Sequence, residues 1–362
     1  MTGAGISARP VYLVADLGGT TLRAGWARAG DLTVSGVRRV AVDGITRYPG
    51  LSAGELQARV VDQLVRLLRE CSLTAPRSPS AVAVAFAGPV GRTGTVVDAP
   101  TIWGPRGPEL PLARILGREF AVPALVLNDV TAAGWRYAAS DGGEDDDYFC
   151  MVTVSSGVGN KVFRRGEVLL PDDGRGGEIG HLRVDFAADA PWCDCGDRGH
   201  LGAVASGRGA LHAAGVLARR FPGAFARSVL SAACAGDPGR LSAQQVAAGV
   251  RSQDAFAVRA VTPGVRHLGR TLAALHTALG VGRFVVMGGF ARAAGEPYLR
   301  LLGEEMAKAG GFLLPPAAAG GLLQPGAPDD DDGLLGSLRR LERSGSPRAA
   351  IPKPAFPAAG TS

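Results

Sequence analysis

Four short segments of this chain set hydroxyl, carboxylate and amide side chains beside glycines, in patterns that suit phosphate chemistry. The first is Asp16-Leu-Gly-Gly-Thr-Thr-Leu-Arg23. Gly18 and Gly19 let the backbone turn tightly and bring N–H groups close to phosphate oxygens. Thr20 and Thr21 add hydroxyl donors, and Asp16 suits a magnesium ion held through water. The glycine spacing fits neither a Walker loop nor a dinucleotide fingerprint, and taken singly the segment also reads as a hairpin turn. The second segment is Thr153-Val-Ser-Ser-Gly-Val-Gly159, centred on Ser155, Ser156 and Gly157, and the third is Met287-Gly-Gly289, closing on Gly288 and Gly289. Similar turns at the starts of two halves of the chain suit a nucleotide clamped from both sides. The fourth is Leu127-Asn-Asp129. A carboxylate there, at a strand end facing a cleft, can accept the proton of an attacking hydroxyl, with Asn128 bonding a substrate hydroxyl beside it. The competing reading of Asp129 is a helix N-cap.

A different chemistry is written in Gly177-Glu-Ile-Gly-His181 and Trp192-Cys-Asp-Cys-Gly-Asp-Arg-Gly-His200. His181, Cys193, Cys195 and His200 make a set of two thiols and two imidazoles suited to tetrahedral zinc. With all four positions filled by protein, such a zinc is structural and activates no water. A free cysteine pair or a disulfide is the alternative. Cys71, Cys150 and Cys234 sit in apolar or helical patterns and read as small core residues in a reducing compartment.

These residues need a scaffold. Apolar runs at 10–15, 21–27, 81–87, 124–127, 148–154 and 283–287 predict strands, most of them ending at one of the segments above. Leu56, Val60, Val61, Leu64, Leu67 and Leu68 recur at helical spacing within 53–71. Further helices are predicted over 210–220, over 242–279 with a break near Pro263, and over 333–343. The alternation predicts an α/β layered fold. Residues 141–147 (DGGEDDD) read as an acidic surface turn, 1–10 as a flexible N-terminus and 344–362 as a disordered tail.

Composition narrows the class. Hydrophobic residues at 46% and charged residues at 20% belong to an ordinary globular enzyme. The formal charge of +6 comes from scattered arginines without a basic run, which argues against nucleic acid as a partner. No N-terminal signal pattern and no apolar run of membrane-spanning length is present, so the expected location is the cytoplasm.

In combination and order, these elements resemble the ROK family of sugar kinases, named for repressor, open reading frame and kinase. The matching positions are Asp16 to Thr20 with Arg23, Ala87-Gly-Pro89, Leu127-Asn-Asp129, Gly177 to His181, Cys193-Asp-Cys-Gly196 and Gly288-Gly289, spread over residues 11–340. The resemblance implies an actin-like, ribonuclease H-like two-domain ATPase fold with an interdomain cleft. It divides the chain into a small domain over 11–128 and a larger one over 129–343, the last helix packing back on the first. It implies that Asp129 is the general base, and that Asn128, Thr101, Glu178 and His181 contact substrate, His181 also binding zinc. The stretches from Asp16 to Arg23 and from Ser155 to Gly157, with Gly288 and Gly289, would hold ATP, and magnesium would bridge its phosphates. Family members are commonly homo-oligomers, so a dimer is expected.

The departures bear on the acceptor. His200 stands at the family's third cysteine, Gly202 replaces a sugar-binding glutamate, and Pro100-Thr101 replaces Pro-Asn. Losing a carboxylate and an amide removes hydrogen bonds that read ring hydroxyls. This altered shell resembles that of the cyclitol kinases within the family, which phosphorylate the exocyclic hydroxymethyl of a seven-carbon cyclitol in aminocyclitol antibiotic pathways. A hexose kinase and a non-catalytic sugar-binding protein are the alternatives. A repressor of the same family would need a DNA-binding segment ahead of the first strand, for which residues 1–10 leave no room.

Overall fold

The computed structural model describes residues 9–31, 33–138, 148–171, 176–310 and 314–344. The acidic turn 141–147, the tail beyond 344 and the first eight residues lie outside the described residues.

Among the described residues, ten strands form two five-stranded sheets. The first holds β1 (Val11–Leu17), β2 (Thr21–Arg28), β3 (Ser35–Ala41), β4 (Ala81–Phe86) and β5 (Ala124–Asn128), in the order β3-β2-β1-β4-β5. The second holds β6 (Phe149–Val154), β7 (Val158–Arg164), β8 (Glu167–Val168), β9 (Arg283–Met287) and β10 (Leu323–Pro325), in the order β10-β9-β6-β7-β8. Both follow one plan: three antiparallel strands in succession, then two strands parallel to the first of them. The repeated plan and two sheets are the expected actin-like, ribonuclease H-like α/β architecture.

The inner strands β1, β4, β6 and β9 are mostly apolar because helices cover both faces. In β1, Leu13, Ala15 and Leu17 pack with Leu56, Val60, Leu64 and Leu68 of the helix Ala53–Thr74, which a capping box of Ser52 and Glu55 starts. Val14, on the other face of β1, joins Ala27 and Ala83 under Leu334 and Leu338 of the terminal helix Asp332–Ser344. In the second sheet, Cys150, Val152 and Val154 face a core shared with the helix Ala255–Leu279, while Phe149 and Met151 face the helix Asp129–Tyr137. Period-two alternation thus assigns each strand residue to one of two cores.

The predicted break near Pro263 is corrected. Two helices span the region, Ala243–Arg251 and Ala255–Leu279, and they part at residues 252–254. Gln253 adopts φ +60°, and the Asp254 side chain accepts from the Ala257 N–H at 2.9 Å, so a cap sets the boundary. Pro263 lies inside the second helix, where burial of Ala260, Val261, Val265 and Leu268 outweighs one lost backbone bond. Among the described residues no helix is long and apolar enough to cross a membrane.

The terminal helix crosses Asp129–Tyr137 so closely that a Cβ at Gly336 would meet the Ala132 carbonyl oxygen at 1.7 Å. Gly→Ala inside a helix ordinarily stabilises by about 1 kcal/mol. Here the sign should invert: Gly336→Ala is expected to lower stability by about 1–3 kcal/mol, as overpacking does. Urea unfolding of the two proteins, compared at equal m-values, checks it.

Candidate active site

The strand ends singled out by sequence converge. The turn from β1 to β2 (Gly18, Gly19, Thr20, Thr21), the turn from β6 to β7 (Ser155, Ser156, Gly157), Gly288-Gly289 after β9 and Asn128-Asp129 after β5 all line one cavity of about 560 Å³. Most stand at the carboxyl ends of parallel strands, the usual ligand edge of such sheets. Both hairpin turns are tight, with Gly18 N–H donating to the Thr21 carbonyl at 3.0 Å and Ser155 N–H to the Gly157 carbonyl at 2.9 Å. Thr101, Glu178, His181, Cys193 and Cys195 line the same cavity, and His200 stands behind it on the metal-ligand cluster.

Asp129 opens the helix Asp129–Tyr137, and the N-cap is Asn128. Asn128 Oδ1 accepts from the Val130 and Thr131 N–H groups, each at 3.1 Å, and its amide donates to the Gly88 carbonyl at 3.0 Å and to Asp129 Oδ1 at 2.9 Å. The capping reading of Asp129 therefore passes to its neighbour, and Asp129 keeps its carboxylate at the cavity wall. A substrate contact by Asn128 requires exchange of one of these bonds. Although Asp129 keeps a partial opening to the cavity, the surrounding protein strips most of its water, and its pKa is pushed up to about 7. Desolvation is the main cause, with the charges of Asp16 and Glu178 adding to it and the Val130 N–H and Lys161 opposing.

Asp16 is largely buried and ion-paired with Arg23, and desolvation raises its pKa against that pairing. Arg23 also reaches Asp330 at 3.1 Å, where Arg39 of β3 and Arg292 of the helix Gly289–Ala294 meet the same carboxylate, each at 3.1 Å. Asp330 thereby ties the first sheet to the second across the cavity mouth. Asp332 adds a further carboxylate, held by Arg136 at 3.0 Å and by the Tyr137 hydroxyl at 2.7 Å. Sequence reasoning passed over Asp330, Asp332, Arg292, Arg208 and Lys161, all of which line the cavity. The run 329–332 looks like any solvated acidic stretch, and only Gly333 at the head of a glycine-bearing helix marked its neighbourhood.

The zinc-type residues do assemble. The ligand atoms of His181, Cys193, Cys195 and His200 lie within 4.8 Å of one another, with Cys193 Sγ 3.8 Å from His181 Nδ1 and Cys195 Sγ 3.2 Å from His200 Nδ1. Tetrahedral zinc bonds of about 2.0–2.3 Å place ligand atoms roughly 3.3–3.8 Å apart; the two Cys–His pairs stand near that spacing, and the chemistry of the donor set suits that ion. A Cβ at Gly202 would lie 3.1 Å from the Gly180 carbonyl oxygen, and with no side chain there the cavity wall is backbone. Thr101 rests against Gly19, where an added Cβ would come 3.2 Å from the threonine Cβ.

The ROK family pattern matches residues 54–309. A C(7)-cyclitol 7-kinase of Streptomyces hygroscopicus subsp. jinggangensis is 46% identical over 340 residues, covering 93% of this chain and 95% of that one. This chain belongs to the ROK family. A 2-epi-5-epi-valiolone 7-kinase of an Actinoplanes species is 35% identical to this ROK protein over 224 residues, 59% of this chain and 60% of the other. Among solved structures, a ROK family glucokinase from Streptomyces griseus in complex with glucose and AMPPNP superposes with a TM-score of 0.73 and 25% identity, covering 92% of this chain and 100% of that one.

The raised Asp129 pKa has a consequence for stability in this ROK protein. A carboxylate near 3.8 when unfolded and about 7 when folded favours folding fully only below its unfolded pKa, and the benefit drains away as pH rises through 7. Asp129→Asn should therefore be more stable than the parent at pH 8, with the gain shrinking as pH is lowered to 5. Thermal midpoints at the two pH values read the difference directly.

Proposed function

We propose that this ROK protein is an ATP-dependent kinase that phosphorylates the exocyclic primary hydroxyl of a seven-carbon cyclitol. The observation carrying the reading is Asp129, a carboxylate at a strand end with its pKa raised to about 7, at a cavity walled by phosphate-type turns from both sheets. Its acceptor class rests on the near full-length 46% identity to a C(7)-cyclitol 7-kinase and on the missing side chain at Gly202.

In this reading the acceptor hydroxyl gives its proton to Asp129 as its oxygen attacks the γ-phosphorus. The bond from that phosphorus to the β-phosphate oxygen breaks, and ADP leaves with the electron pair. A pKa of about 7 lets Asp129 be ionised yet basic enough to take the proton at neutral pH. Gly18 to Thr21 and Ser155 to Gly157 supply N–H and hydroxyl donors to the phosphates, and Gly288-Gly289 lies along the adenosine side. Arg23 reaches the phosphates on leaving Asp330. Thr101, Glu178 and His181 read the acceptor, with Asn128 fixing the carboxylate of Asp129. Magnesium, when bound, neutralises phosphate charge; Asp16, crowded by Asp330 and Asp332, is the group that would hold it through water. Zinc held by His181, Cys193, Cys195 and His200 would cross-link the loop that carries Glu178 and His181.

We take the division between the two domains to fall at Asn128 and Asp129, and the working form to be a cytoplasmic homodimer without a nucleic-acid partner. A place in aminocyclitol antibiotic biosynthesis fits the acceptor.

Two measurements test the reading. ADP release with magnesium ATP should be fast on 2-epi-5-epi-valiolone and related cyclitols and slow on glucose, mannose and N-acetyl sugars, and Asp129→Asn should lower kcat on the favoured acceptor by about 10²–10⁴. Glucose as the best acceptor would instead support a hexose kinase, and silence on every acceptor would support a binding protein. Metal analysis of protein purified without chelator should find one zinc per chain, lost in Cys193→Ala together with part of the thermal stability. Metal-free wild-type protein of full stability would sink the zinc assignment.

A further inference from the structure

Lys161 lies on β7, with only 2% of its side chain exposed. Its Nζ donates to the Gly176 carbonyl at 2.8 Å, to the Gly177 carbonyl at 3.2 Å and to Glu178 Oε1 at 2.7 Å. An ammonium carries three protons, so these three acceptors use all of them. Burying so strongly hydrated a charge is costly, and removing partners from it is costlier still. The aliphatic stem is packed as tightly as the head. A Cβ at Gly177, whose φ is +63°, would come 3.1 Å from Lys161 Cδ. The preceding residue, Asn160, holds the same stretch from its other end, its Oδ1 accepting from the Ile179 N–H at 3.1 Å. Two consecutive side chains of β7 therefore pin residues 176–179 where Glu178 meets the cavity.

We propose that Lys161 is a positioning residue for acceptor recognition, fixing the 176–179 segment and the orientation in which Glu178 presents its carboxylate to the acceptor hydroxyls. The ammonium does not itself touch the acceptor, because its protons are spent on the loop. Lys161 acts through Glu178, and the proposal rests on the reading of Glu178 as an acceptor contact.

The test begins by identifying the acceptor that the wild-type enzyme turns over, so failure of the cyclitol reading shows there and leaves the Lys161 comparison intact on whichever acceptor is used. Lys161→Met, Glu178→Gln and the double variant are then compared. Misplacing a contact by about an ångström can cost up to a hundredfold. Lys161→Met is expected to raise the acceptor KM by about tenfold or more while the ATP KM changes little. The double variant should match Glu178→Gln within about twofold, because the two residues act as one unit. Amide hydrogen exchange should quicken in residues 176–182 of Lys161→Met and stay unchanged in the β1–β2 turn. If Lys161→Met does not fold, Lys161→Arg carries the comparison, keeping the charge with an altered reach and an intermediate KM. An unchanged acceptor KM in the folded variant, or effects of the two single changes that multiply in the double, would overturn the proposal.

Discussion

Asp129 and Asp16 stand at the carboxyl ends of strands in one sheet, and the charge of Asp16 makes it harder for Asp129 to carry its own. Water would relieve that repulsion, but the cavity wall keeps most of it away. The helix that Asp129 opens offers compensation, since its N–H groups favour an anion at that end. Asn128 takes two of those groups for itself and leaves the Val130 N–H shared with Asp129 at 2.9 Å. The outcome is a carboxylate balanced near neutrality, and that balance depends on every element bringing charge or low polarity to this point.

The terminal helix is one of them. Leu334 and Leu338 anchor it on the first sheet, and its start and the residues just before it bring Asp332 and Asp330 to the cavity. Asp330 is shared by arginines of both halves, so the two sheets are tied beside the cavity. Exposed ion pairs contribute little individually. Here one carboxylate serves three guanidinium groups, so the pairs act as a small network.

How much was legible in advance follows burial. β4 is apolar along its length, and β1, β6 and β9 are nearly so, because both faces are covered, and such runs announce themselves. β3 was not visible, since it is an edge strand with mostly exposed residues, and β7 carries Asn160 and Lys161 at buried positions where a strand pattern expects apolar groups. Pro263 misled for a similar reason. Its local preference to break a helix is real, but the core contacts of its neighbours are worth more, and the break moved to the cap at Asp254.

The amino-acid sequence by itself determined the chemistry available: a carboxylate after β5, glycine and hydroxyl turns, a Cys/His set and their order along the chain. Glycine permits backbone paths, and thiol, imidazole and carboxylate have intrinsic chemistry, so these properties are local and can be read locally. Only the tertiary structure decided which charges share a space. It placed Asn128 as the cap that frees Asp129, brought Asp330 between arginines hundreds of residues apart in sequence, and sealed Lys161 against residues 176–178. Desolvation and Coulomb energy depend on distances between chain-remote atoms and on the water excluded from between them, and those quantities exist only once the sheets and helices have packed.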